Sequence, residues 1–144
     1  MRVTIYTDAS HIPNTMMGSF AFWIRWENGR IVKNGKFKGD IPDSFCAEVR
    51  CVLNAIYVAK TSIKNVDTLF MVTDCRPVIN LLQHRNNKPK TLIRMAAEIV
   101  AFDSMTKGIK VFWKHTTAHK GGKTIQSYIN EQCDKLAREA HQKK

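Results

Sequence analysis

Two apolar runs in the chain finish on the same dipeptide. In RVTIYTD (2–8), Val3 and Ile5 point one way and Tyr6 the other, so both faces of an extended strand are covered. LFMVTD (69–74) repeats the pattern and also closes on Thr-Asp. Between them, HIPNTMMG (11–18) is a turn-rich connection and SFAFWIRW (19–26) has strand composition. ENGR then supplies an Asn-Gly hairpin signal before IVKNGKFKG (31–39). DIPDS (40–44) offers a proline and two candidate caps ahead of helical spacing over 45–60. DTLFMVTD (67–74) is the fourth strand, and CRPVINLLQH opens a short helix with Pro77 in its first turn. NNKPK (86–90) breaks that helix, and Leu92, Met95, Ala96, Ile99 and Val100 carry helical spacing through 91–106. GIKVFWKH (108–115) is a fifth strand, TTAHKGGKTIQS (116–127) a mobile loop, and 128–140 a closing helix.

The order β-β-β-α-β-α-α-β-α predicts an α/β fold with a five-stranded mixed sheet flanked by helices. A three-strand antiparallel meander would join strands one, four and five, which run parallel through helical crossovers. Ligands of such sheets gather beyond the carboxyl ends of the parallel strands. Asp8 and Asp74 fall there.

At 144 residues, 44% of them hydrophobic, the chain is expected to form one domain over 1–144 with a real core. The four cysteines form no C-x-x-C pair, which favours a reduced setting over a disulfide framework. With no apolar signal core and no run near the roughly 18 residues of a membrane span, a soluble, cytoplasmic protein is expected. Charge adds more: 23 Lys and Arg against 12 acids give +11 and a pI near 9.8. The bases come in acid-free stretches: Arg30 to Lys38, Arg76 to Arg94, and Lys107 to Lys123. Such a field favours polyanions, nucleic acid first, although a solvated basic surface would also produce it.

Against that background the acids stand out. Glu48 has Phe45, Val52 and Ala55 at minus three, plus four and plus seven, which sets it along an inward helical seam. Asp134 borders the stripe of Cys133, Leu136, Ala137 and Ala140. Each acid has a plain alternative. Asp74 would cap a helix opening at Cys75, Asp8 would hold a turn, Glu48 would pair with a nearby base, and Asp134 would pair with Arg138 at i+4. Together they offer a corner of hard oxygen ligands, which repel one another unless cations such as Mg²⁺ or Mn²⁺ neutralise them. An acidic metal corner on a basic protein points to phosphoryl chemistry on a polyanion.

The motifs YTDAS, AEVRCVLNAIYVA, VTDCRPVINLL and NEQCDKLAREA together resemble the type 1 ribonuclease H family, in its order and over nearly the whole chain. The resemblance implies a ribonuclease H-like fold. It also implies hydrolysis of the RNA strand of RNA–DNA hybrids, with 5′-phosphate and 3′-hydroxyl products. By the same resemblance Asp8, Glu48, Asp74 and Asp134 match four acids that hold two Mg²⁺ ions, Mn²⁺ being the alternative. His119, in the glycine-rich loop, matches a catalytic histidine that assists proton transfer, while His115 aligns with a strand-end histidine. Ser44, Arg76, Lys88, Lys90, Lys120 and Lys123 are the candidate substrate contacts. A monomer is expected.

The chain departs from the family pattern in several places. Ala9 follows the first aspartate where glycine is usual, which would matter if the backbone there needed positive φ. Phe45 and Cys46 replace a polar pair before the helix glutamate, and Cys75-Arg76 replaces a common Ser with nearby Gln. HRNNKPK (84–90) stands where some members carry a longer basic handle. Three other readings remain: a DNA nuclease of the same superfamily; a non-catalytic nucleic-acid-binding module, whose usual sign is loss of one or more of the acids; and a basic α/β protein in which the acids are incidental. Cys75 and Cys133 are read as packing residues, since hard cations disfavour thiolate. Trp23, Trp26 and Trp113 are read as sheet packing, with one on the meander a candidate base-stacking residue.

Overall fold

The computed structural model describes residues 1–116 and 125–141. Its strands are β1 (Arg2–His11), β2 (Gly18–Trp26), β3 (Gly29–Lys36), β4 (Thr68–Thr73) and β5 (Lys110–His115), in the sheet order β3-β2-β1-β4-β5. β1, β2 and β3 pair antiparallel, while β1–β4 and β4–β5 pair parallel, as the element order implies. The helices are α1 (Ser44–Ser62), α2 (Arg76–Ile79), α3 (Pro89–Arg94), α4 (Ala96–Met105) and α5 (Ile125–Ala140). Among the described residues no helix is long and apolar enough to cross a membrane.

Strand alternation decides the layers. Val3, Ile5, Phe22, Ile24, Leu69 and Met71 are buried against Val49, Val52, Ala55, Ile56 and Ala59 of α1, with Leu81, Met95 and Phe102 in the same core. Tyr6, Ala21 and Val72 point to the other face and meet Ile129, Cys133 and Ala137 of α5. Asp43 is the cap of α1, its Oδ1 accepting the Cys46 N–H at 2.8 Å. All four cysteines are free. Trp113 packs at 6.0 Å from Phe102, and Trp23 packs on the α5 cluster under the Arg30 guanidinium.

Three local expectations are corrected. β1 does not stop at Asp8 but runs to His11, because β2 continues to pair with it from Asp8↔Ala21 through His11↔Gly18. β1 pairs with β4 only as far as Tyr6↔Val72. The helix over 91–106 is two helices, since Met95 leaves helical geometry (φ −101°, ψ 16°) and is buried. The short helix after β4 widens into a π-helical turn over Asn80–His84, which brings both Leu81 and Leu82 into the core. Arg85 ends it in the left-handed region, its N–H donating to Asn80 O at 2.8 Å.

Candidate functional site

The carboxylates converge where β1 outruns β4. Asp8 is buried within β1 and is flanked by β2 on one side. Asp74 follows the last residue of β4, and Glu48 projects from the second turn of α1 on its buried side. One carboxylate oxygen from each of Asp8, Glu48 and Asp74 lies within 4.8 Å of those of the other two. The Ala9 N–H donates to both Asp8 Oδ1 and Glu48 Oε1, each at 2.9 Å, so one backbone donor ties strand to helix. Ala9 is extended and has no positive φ, so the missing glycine costs the strand nothing. The capping position of α2 is Cys75, not Asp74.

This cluster is electrostatically uncomfortable by itself. Burial, then the charges of Glu48 and Asp74, push the Asp8 carboxyl far above the usual carboxylate range. Burial and the Asp74 charge push Glu48 upward as well, opposed by the Ala9 N–H. Asp8 Oδ2 and Glu48 Oε2 are buried without a hydrogen-bond partner. Buried acceptors without donors, on three clustered acids, fit a hard divalent cation. The neighbouring thiols do not compete as ligands: burial pushes Cys75 up to about 12 and Cys133 higher still.

The fourth acid stands apart. Asp134 lies outside the 4.8 Å group, and its Oδ2 pairs with Arg138 at 2.9 Å across one helical turn. Its charge still reaches Asp8 and Glu48, raising both. Arg138 is largely exposed, so little holds it in place against a competing cation.

The nucleic-acid candidates divide into three groups. Ser44 is exposed at the start of α1 and lines a groove of about 390 Å³ with Glu48, Cys75, Asn87, Thr91 and Arg94. Arg76, Lys88 and Lys90 are exposed, Arg76 two residues beyond Asp74 and the lysines either side of Pro89 at the start of α3. His119, Lys120 and Lys123 lie outside the described residues. His115 closes β5, and its Nε2 sits 3.1 Å from the Asp74 carbonyl, which can only accept, so that nitrogen carries the proton.

Three contributors were not singled out from sequence. Arg94, which pairs with the capping Asp43 at 2.8 Å, and Asn87 both line the groove beside Glu48. Both fall in the acid-free stretch from Arg76 to Arg94, and Asn87 also in HRNNKPK (84–90), the signals that could have raised them. The Ala9 N–H is a backbone group and leaves no trace in side-chain pattern.

With this geometry in place, comparison with known proteins is decisive. The RNase H family model matches residues 1–142. The chain belongs to the RNase H family. RNase H1 from the halophilic archaeon Halobacterium salinarum NRC-1 superposes with a TM-score of 0.74 at 20% identity, over 99% of this chain and 98% of that one. LC11-RNase H1, solved in complex with an RNA/DNA hybrid, gives 0.69 at 19% identity, over 96% and 95%. The N-terminal RNase H domain of rv2228c from Mycobacterium tuberculosis gives 0.67 at 14% identity, over 98% and 96%. At these identities the superpositions speak to the fold, which is that of RNase H. No curated protein matches the chain. As an RNase H, the chain gathers its three acids from within β1, from just after β4 and from the facing turn of α1.

Proposed function

We propose that this RNase H hydrolyses the RNA strand of RNA–DNA hybrids with two divalent cations, Mg²⁺ first and Mn²⁺ as a substitute, leaving 5′-phosphate and 3′-hydroxyl ends. The observation that carries the reading is the convergence of Asp8, Glu48 and Asp74, two of them with buried, unpartnered oxygens, in a chain of this family. Those three acids would hold the cations, and Asp134 would join them once Arg138 releases it. When bound, the cations supply activation of the attacking water and stabilisation of the departing 3′ oxygen.

The chain's own residues do the rest. Ala9 fixes the Glu48 carboxylate through its N–H, and His115 holds the Asp74 backbone. Asp8 and Glu48 give up retained protons as the site fills, so occupancy weakens as pH falls. Ser44 and Arg94 line the groove beside Glu48, and Arg76, Lys88 and Lys90 offer exposed cations to phosphates. A hybrid presents 2′-hydroxyls on one strand only, so a groove reading them selects RNA. By family resemblance His119 assists proton transfer, and Lys120 and Lys123, which follow it in the sequence, would contact phosphates. A cytoplasmic monomer is the setting we propose.

The test uses one hybrid labelled on either strand, with Mg²⁺ or EDTA, and compares wild type with Asp74→Asn. The expected result is Mg²⁺-dependent cutting of RNA alone, reduced about a thousand-fold or more by the substitution. Cutting of the DNA strand would make the chain a DNA nuclease. Binding without cutting, in Mn²⁺ as well, would make it a binding module.

A further inference from the structure

The described residues cover only part of the sheet face that α5 packs on. Among the described residues α5 lies across β1, β2 and β3, with Ile129, Cys133 and Ala137 over the carboxyl half of β1. Among the described residues nothing covers the amino-terminal half of the face, and Phe112 there is 47% exposed. Strand register draws one row across all five strands: Phe112, Phe70, Thr4, Arg25 and Arg30. The next row toward the strand starts holds Lys110, Thr68 and Arg2. Phe70 and Phe112 stack at 5.3 Å with 26° between their planes, and the Arg2 guanidinium sits 4.2 Å above Phe70. A cavity of about 680 Å³ opens between Arg2 and Arg25.

We propose that this open half-face is a second nucleic-acid site, a platform for single strands, with a base stacking on Phe112, which Phe70 backs, and phosphates pairing with Arg2, Arg25, Arg30 and Lys110. An exposed aromatic ring flanked by cations suits a single strand, since every base has a π-face and every nucleotide a charge. The two rows carry four cations and no carboxylate. The marginal acids are Asp67, held by the N-terminal ammonium at 3.0 Å, and Glu27 in the β2–β3 turn. A protein partner would be expected to find a mixed or neutral apolar patch; here Arg2, Arg25, Arg30, Lys64 and Lys110 outnumber Glu27, which lines the cavity, and Asp67, which the N-terminal ammonium engages. Five strands at their normal spacing give a row about 19 Å long, room for on the order of four nucleotides. Arg2 precedes Asp8 by six residues of β1, about 20 Å, so the platform is distinct from the carboxylate centre and would hold a single strand while a hybrid occupies the other.

The test measures binding of a fluorescein-labelled dT12 oligonucleotide to the whole chain by anisotropy, in EDTA, where no cleavage occurs. Phe112→Ala is expected to weaken binding about ten-fold. Phe112→Leu, which keeps apolar bulk without a ring, should give the same loss and separates stacking from folding. Arg2→Ala should make the slope of log affinity against log salt shallower by about 0.7, a change that a merely structural role would not produce. All three variants should retain hybrid cleavage to within about two-fold of wild type. Unchanged oligonucleotide affinity in the Phe112 variants would overturn the proposal. So would concentration-dependent dimers, seen by sedimentation and abolished by Phe112→Ala without a change in oligonucleotide affinity, which would assign the face to a second copy of the chain. Because binding is read in EDTA, its outcome is separable from whether the carboxylate centre cuts hybrids.

Discussion

Asp8→Asn should stabilise the cation-free protein while abolishing its metal-dependent activity. Asp8 is 4% exposed, and carboxylate oxygens of Glu48 and Asp74 lie within 4.8 Å of its own. Two unit charges at that distance repel by about 3 kcal/mol at an effective dielectric near 20. The folded protein avoids this by holding a proton on Asp8, whose pKa burial and then Glu48 and Asp74 push upward. The unfolded chain releases that proton from about pH 4. Between there and the raised folded value the native state binds more protons than the unfolded state, so stability falls as pH rises. Asparagine has the same shape, its side-chain oxygen can still accept the Ala9 N–H, and it carries no titrating proton. The gain should be near zero at about pH 4 and about 1–3 kcal/mol at about pH 8, or roughly 3–9 °C in Tm. Scanning calorimetry of both proteins in EDTA at the two pH values measures it. Added Mg²⁺ should raise the Tm of wild type and narrow the gap. A gain as large at about pH 4 as at pH 8, or a lowered Tm at both, would refute the reasoning, because packing rather than charge would then dominate.

Two further outcomes are expected. Asp43→Ala should cost about 1 kcal/mol in urea unfolding through loss of the α1 cap, whereas Arg94→Ala, which removes only the half-exposed ion pair, should cost under about 0.5 kcal/mol; equal losses would show that the cap is not the dominant contact. A thiol-reactive disulfide reagent at about pH 8 should leave the native protein nearly unmodified and titrate all four cysteines in denaturant, since burial raises each thiol; a fast native reaction at Cys75 would show a more open site.

Local pattern determined a great deal about this protein. Period-two and helical spacing gave the five strands, their connections and the inward seam on which Glu48 sits, because side-chain direction follows backbone geometry within a single element. The placement of Asp8 and Asp74 just beyond the last parallel β1–β4 pair, Tyr6↔Val72, followed from element order, though Asp8 lies within β1 and not at its end. Tertiary structure decided whatever depends on partners far away in the chain. The length of β1 was set by β2, so Asp8 became a strand residue; the break at Met95 came with burial of that side chain. Which acids meet depended on the seating of α1 against the sheet, whereas the Asp134–Arg138 pair is local to one helix and was legible in the i+4 spacing. The row from Phe112 to Arg30 takes one residue from each of five strands, so no stretch of sequence contains it. Register is fixed by hydrogen bonds between strands, and it exists only once the strands have paired.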